Sequence, residues 1–133
     1  MNISEAARRS GLSAKTIRYY EEIELIAPAA RGENGYRQYD VASVDELHFL
    51  ARARGVGFDL RECRELLQLL RDSQRRSRHA RELVLEKSER LQQRIDQLVA
   101  MQHVLEDMAS RCHGDEGPDC AILEDLAAYT EDK

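Results

Sequence analysis

Cys112 and Cys120 enclose seven residues, His113-Gly114-Asp115-Glu116-Gly117-Pro118-Asp119. Two glycines and a proline in so short a span let the chain curl around a small object. Thiolates are soft donors that favour Cu(I), Zn(II) or iron-sulfur chemistry. Two thiolates alone do not complete tetrahedral zinc, whereas Cu(I), Ag(I) and Au(I) accept two sulfurs in line. Two thiolates and one monovalent cation leave a net negative charge, so a buried site needs positive potential close by. The N-terminus of a long helix supplies part of that through its dipole, and Arg81 can supply more. His113 follows Cys112 directly and could give nitrogen to a divalent ion, with Asp115, Glu116 or a partner's His79 completing the set. The third cysteine, Cys63, sits among charged neighbours well upstream and reads as a small packing residue.

Around these residues the chain is 133 long, 34% charged and 42% hydrophobic. That length suits one compact domain with an appended element. No apolar run approaches the roughly 18 residues of a membrane span. The start, Met1-Asn2-Ile3-Ser4-Glu5, lacks the basic and apolar regions of a secretory signal, so the expected location is the cytoplasm. In that reducing compartment three cysteines point to a metal or redox site rather than a disulfide framework. A phosphate-binding glycine loop, HExxH and GxSxG are all missing, and the expectation is a protein that is not an enzyme.

The formal charge of -5 is unevenly spread. Residues 1–57 carry eight basic and eight acidic groups, and residues 58–111 carry eleven and ten. Residues 112–133 hold Lys133 against seven acids, so the acidity belongs to the tail. Arg8, Arg9, Lys15, Arg18, Arg31 and Arg37 cluster near the start, and such local clustering governs contact with phosphate more than whole-chain charge does.

The elements that must position these groups follow from caps and breakers. Ser4 is expected to cap a first helix that stops at Gly11, and Ser13 a second running from about Ala14 to Glu22. This is the spacing of a helix-turn-helix. Lys15, Arg18, Tyr19 and Glu22 share one face of the second helix, while Ile17 points towards a small core of Ile3, Ala7, Leu12, Leu25 and Ile26. Asn34-Gly35 between short extended stretches predicts a hairpin with a two-residue type I′ turn, a wing bearing Arg31, Tyr36 and Arg37. Asp40 opens a third helix to about Arg54, with Val44, Leu47, Leu50 and Ala51 inward. Asp59 and Glu62 form a capping box for a fourth, to about Leu70. A long helix then runs from near Ser77 to about Arg111. Val84, Ser88, Leu91, Ile95, Leu98, Gln102, Leu105 and Ala109 follow a 4-3 spacing along it, a seam whose simplest partner is a second copy. A short amphipathic segment, Ala121 to about Tyr129, closes the chain.

Ile17-Arg18-Tyr19-Tyr20-Glu21, Asn34-Gly35-Tyr36-Arg37-Gln38-Tyr39, Gly55-Val56-Gly57-Phe58 and the long helix ending in a cysteine-bearing loop together resemble the MerR family of bacterial transcription regulators. Within it the chain is most similar to the copper-responsive branch, on Ser77, Cys112 and Cys120. The resemblance implies a mainly α fold in three parts. Residues 1–70 form a winged helix-turn-helix DNA-binding domain with a second helix pair. Residues 71–111 form a linker and a long antiparallel coiled-coil dimerisation helix, with Leu91, Ile95, Leu98 and Leu105 at its seam. Residues 112–133 form the metal-binding loop and a short C-terminal helix. The resemblance further implies DNA contacts by Lys15, Arg18 and Tyr20 in the recognition helix, by Arg31, Tyr36 and Arg37 in the wing, and by Arg54. Tyr19 joins them from its place on the same face as Lys15. One Cu(I), or Ag(I) or Au(I), per protomer would sit on Cys112 and Cys120, with Ser77, Arg81 and His113 around it. The resemblance implies that Ser77 marks a monovalent sensor, because the family's divalent sensors carry an extra Cys ligand at this position. Copper members carry Lys where this chain has Arg81, and a terminal Cys and His run that it lacks. The implied partners are double-stranded promoter DNA, RNA polymerase and a second copy. Competing expectations are a divalent metal such as Zn(II) bound through His113, a thiol redox signal, and a coiled-coil metal-binding adaptor that no longer reads DNA.

Overall fold

The computed structural model describes residues 1–128, so Tyr129, at the expected end of the last helix, lies outside the described residues. The chain divides into two compact units, Met1–Lys87 and Ser88–Lys133, and the division falls inside the longest helix.

The first unit opens with α1, Ile3–Ser10, and α2, Ala14–Glu22. Gly11 ends α1 at φ 83°, a left-handed position where glycine carries no Cβ penalty. The cap of α1 is Asn2 rather than Ser4, because the Asn2 side chain accepts the Glu5 N–H at 2.9 Å and winds the helix from Ile3. Ser13 caps α2 by accepting the Thr16 N–H at 3.0 Å. The wing pairs β1, Ala30–Arg31, antiparallel with β2, Arg37–Gln38, with Arg31 opposite Arg37.

The turn of the wing is wider than a two-residue type I′ turn. Gly35 is left-handed at φ 79°, whereas Asn34 is not among the residues with positive φ. The Gly35 N–H instead closes onto the Gly32 carbonyl at 2.9 Å, and the Asn34 side chain accepts the Tyr36 N–H at 3.1 Å. That side-chain bond gives Asn34 a partner without positive φ.

α3, Val41–Gly55, is capped by Asp40, and α4, Leu60–Arg71, opens with the reciprocal Asp59 and Glu62 capping box. The core gathers Ile17, Leu25, Leu47, Leu50, Leu67 and Cys63, all with almost no accessible surface. Ala6 and Ala53 are the buried alanines of α1 and α3, and Ala7 and Ala51 are only partly covered. Arg71 clamps α4 to α3 through two 2.7 Å hydrogen bonds to Glu46. Arg64 donates to the Ile23 and Glu24 carbonyls at 3.0 and 3.1 Å. These bonds hold the turn in which Glu24 takes φ 59°. Lys87 meets Glu62 at 3.1 Å and lies 6.0 Å from the Phe58 ring centre.

α5, Ser77–Arg111, is a helix of 35 residues with no buried side chain in the single chain. At 1.5 Å per residue it extends roughly 50 Å. In the second unit Leu91, Ile95, Leu98 and Leu105 all lie exposed along it. After the cysteine loop comes α6, Ala121–Ala127, with Leu123 and Leu126 outward. Among the described residues no helix is long and apolar enough to cross a membrane.

Candidate nucleic-acid interface and metal centre

Arg18 of α2 and Tyr36 and Arg37 of the wing line one groove, together with Asn2, Ile3, Asn34 and Gln38. Lys15 and Tyr19 are exposed on α2, and Tyr36 at the wing tip is 71% exposed. Like charges directly opposite on paired strands destabilise a ladder. Here Arg31 and Arg37 avoid that cost by turning to separate partners. Arg31 donates to the Gly35 carbonyl at 2.9 Å, and Arg37 meets Glu21 at 2.8 Å. Arg54, at the end of α3, is exposed but also donates to the Phe58 carbonyl at 3.1 Å, bracing the turn into α4.

Tyr20 departs from the expected set. Its side chain belongs to the core, at 4% exposure, where burial pushes the phenol pKa up and the neighbouring Arg54 opposes the rise. The reason is helical period: Ile17, Tyr20 and Glu21 fall at i, i+3 and i+4 and are the buried face of α2. The same spacing marks Glu21, which sequence reasoning passed over. A carboxylate on an apolar face demands a cation or a donor, and the wing supplies both.

In the second unit the Cys112 and Cys120 sulfurs lie 3.5 Å apart. Both are free thiols and partly buried. The separation is well beyond the roughly 2.05 Å of a disulfide. The loop between them is pinned by the Gly117 N–H, which donates to Asp115 at 2.9 Å, and turns through Gly114 at φ 65°. Cys120 occupies the N-cap of α6. No side-chain hydrogen bond caps the helix there, yet the Leu123 N–H, the Cys112 thiol and the Ile122 N–H hold the Cys120 pKa below the usual thiol range. That favours the thiolate, the form that binds metal. Arg111 ties the end of α5 to Asp107 at 2.9 Å and reaches Asp125 of α6 at 3.7 Å.

His113 is exposed. Among the described residues no group of three or more His, Cys, Asp or Glu is placed to hold a metal ion. Ser77 and Arg81 are exposed in the first turns of α5 and belong to the other compact unit. Cys63, in that unit too, is sealed in the core with its sulfur 3.9 Å from the Phe58 carbonyl, and burial pushes its thiol pKa up. It is a packing residue.

A helix-turn-helix and a basic wing opening on one groove define a DNA-binding protein of the winged class. The chain belongs to the MerR family: residues 1–70 match the family described as MerR HTH family regulatory protein, and residues 44–108 match that described as MerR, DNA binding. It is 48% identical over 127 residues to the HTH-type transcriptional regulator HmrR of Rhizobium leguminosarum bv. viciae, covering 96% of this chain and 98% of that one. It is 42% identical over 133 residues to the HTH-type transcriptional regulator CueR of Salmonella typhi, covering 100% and 96%. Among solved structures, the transcription regulator PbrR691 from Ralstonia metallidurans CH34, in complex with lead(II), aligns with a TM-score of 0.85 at 28% identity, covering 96% of this chain and 99% of that one. These relatives are transcription regulators and not enzymes. The chain is a DNA-binding transcription regulator with a mainly helical, MerR-type fold.

Proposed function

We propose that this regulator is metal-responsive and that its effector is Cu(I), or its congeners Ag(I) and Au(I), one per protomer on Cys112 and Cys120. The observation that carries the reading is the thiol pair, two soft donors 3.5 Å apart and not joined by a disulfide. A two-sulfur set suits a monovalent ion and leaves zinc's tetrahedron incomplete. The likeness to CueR supports the same choice. Ser77 and Arg81 would lie beside the pair, Arg81 and the start of α5 offsetting its negative charge.

The working unit is a homodimer joined along antiparallel α5 helices, with Leu91, Ile95, Leu98 and Leu105 in the seam. Lys15, Arg18, Tyr19, Arg31, Tyr36, Arg37 and Arg54 contact double-stranded promoter DNA. Phosphate contacts fix its position and base-edge contacts read its sequence. The dimer occupies the promoter with or without metal. On metal binding the 112–120 loop orders, and α6 docks through Ile122, Leu123 and Leu126. The angle between the DNA-binding domains then changes. The bent and untwisted promoter presents its elements to RNA polymerase in phase.

A second reading is a divalent ion bound through His113, favoured by the likeness to the lead-bound PbrR691. An anaerobic, buffered titration of the reduced protein with Cu(I), Ag(I) and Zn(II) separates the two. The expected result is tight uptake of one monovalent ion per protomer, abolished in Cys112→Ser and in Cys120→Ser and unmatched by zinc. Comparable zinc affinity that depends on His113 moves the protein to the divalent branch.

A further inference from the structure

Glu21 carries the most buried charge-bearing side chain of the DNA-binding unit's first half, at 5% exposure, and neither base reading nor phosphate contact explains a carboxylate there. An acidic group behind a DNA-binding face opposes the phosphates unless it is neutralised. Its two oxygens are divided. Oε1 accepts the Tyr39 hydroxyl at 2.5 Å, and Oε2 meets Arg37 Nη1 at 2.8 Å. Oε2 has no aligned hydrogen bond, so Arg37 is its counter-charge. Tyr39 is itself in the core, and burial together with the Glu21 carboxylate drives its phenol pKa up to about 12. The phenol therefore stays protonated and donating. Glu21 belongs to α2, and both partners flank or lie in β2, so this cluster is a side-chain link between recognition helix and wing.

The side chain of Arg37 remains 40% exposed while one of its nitrogens is committed inward, and it lines the same groove as Arg18. A guanidinium is a planar fork of five donors, so one edge can be anchored while another faces solvent. Holding one edge of a long, rotamer-rich side chain removes entropy before any phosphate arrives.

We propose that Glu21 is a positioning residue for DNA binding, whose buried carboxylate fixes Arg37 of the wing to α2 so that Arg18 and Arg37 meet the DNA backbone as one rigid pair. This rests on the reading that Arg37 contacts phosphate. Glu21 touches no DNA, and it acts through Arg37.

The test is a double-mutant cycle on the full chain, read by fluorescence anisotropy against a 30-base-pair duplex selected from a random pool for binding the wild-type protein, over a range of salt. Arg37→Ala removes a phosphate contact, so the slope of log affinity against log salt becomes shallower by about 0.9 per protomer, with affinity down about tenfold. Glu21→Gln, which keeps shape and removes charge, is expected to reproduce most of both losses. The Glu21→Gln/Arg37→Ala double variant should fall no further than Arg37→Ala alone. Independent, additive losses, or a Glu21→Gln slope equal to wild type, overturn the proposal. An Arg37→Ala protein with wild-type affinity and slope instead removes the underlying phosphate reading. Should Glu21→Gln fail to fold, Tyr39→Phe keeps the ring in the core and removes the hydroxyl that Glu21 accepts and Arg37 also meets. A loss of about two- to threefold that vanishes in the Arg37→Ala background supports the proposal, and wild-type binding overturns it.

Discussion

Glu46 of α3 contributes stability that depends on pH. Arg71 holds its carboxyl below the ordinary glutamate range through paired 2.7 Å hydrogen bonds, against a smaller opposing push from burial. A depressed carboxylate contributes stability that is complete above its unfolded pKa and is lost as pH falls through its folded one. Arg71→Ala is expected to cost about 1 kcal/mol at neutral pH, because both partners are partly exposed and solvent screens the pair. Urea unfolding of wild type and variant should show that gap closing in acid, below the ordinary glutamate range. A gap that stays constant with pH would assign the loss to packing. The three cysteines give a second prediction at this scale. Cys63 is sealed and its thiol raised, so brief alkylation of the native protein should label Cys112 and Cys120 and spare Cys63. Peptide mass mapping reads this directly, and early labelling of Cys63 would contradict its place in the core.

At the scale of elements, α1 to α4 are held by side-chain caps and by one shared core. Leu47 has no accessible surface, and its truncation to Ala should cost about 2–5 kcal/mol by urea unfolding, without altering metal uptake in the other unit. α5 gives the opposite prediction. Leu91 and Leu98 are exposed in the single chain, so Leu91→Asp or Leu98→Asp leaves the monomer fold alone and should shift sedimentation from dimer to monomer. A dimer that survives both changes would place the seam elsewhere.

The elements also show what a sequence displays and what it conceals. Ser13, Asp40 and Asp59 mark their helix starts because each is the cap-type residue at its boundary. At the first helix Asn2 and Ser4 both qualify, and only the hydrogen bond to Glu5 decides between them. Asn34-Gly35 signals a hairpin, but the competing side-chain bond to Tyr36 sets the turn. Both thiols of the candidate metal centre were legible as a spaced pair. Tyr20 entered the DNA-contact set through the family resemblance, whereas its helical spacing from Ile17 places it, with Glu21, on the buried face of α2.

For the whole molecule, the proposed switch must couple an ion at the thiol pair to the groove lined by Arg18 and Arg37. The thiol pair and the groove belong to different compact units, and α5 has residues in both. Bending a site of 20–30 base pairs costs of order 1–6 kcal/mol, and protein contacts must offset it. Metal can drive the change only through unequal affinity for two conformers, and moving a population from 1:99 to 99:1 requires a ratio of about 10⁴. If both states hold DNA, the output is carried by DNA shape. The most direct measurement is therefore paired footprinting and end-to-end energy transfer on one selected promoter duplex, with and without Cu(I). Metal-switched distortion predicts an unchanged footprint and a changed bend, absent in Cys112→Ser. A footprint that appears or vanishes with Cu(I) while the bend stays fixed would contradict it.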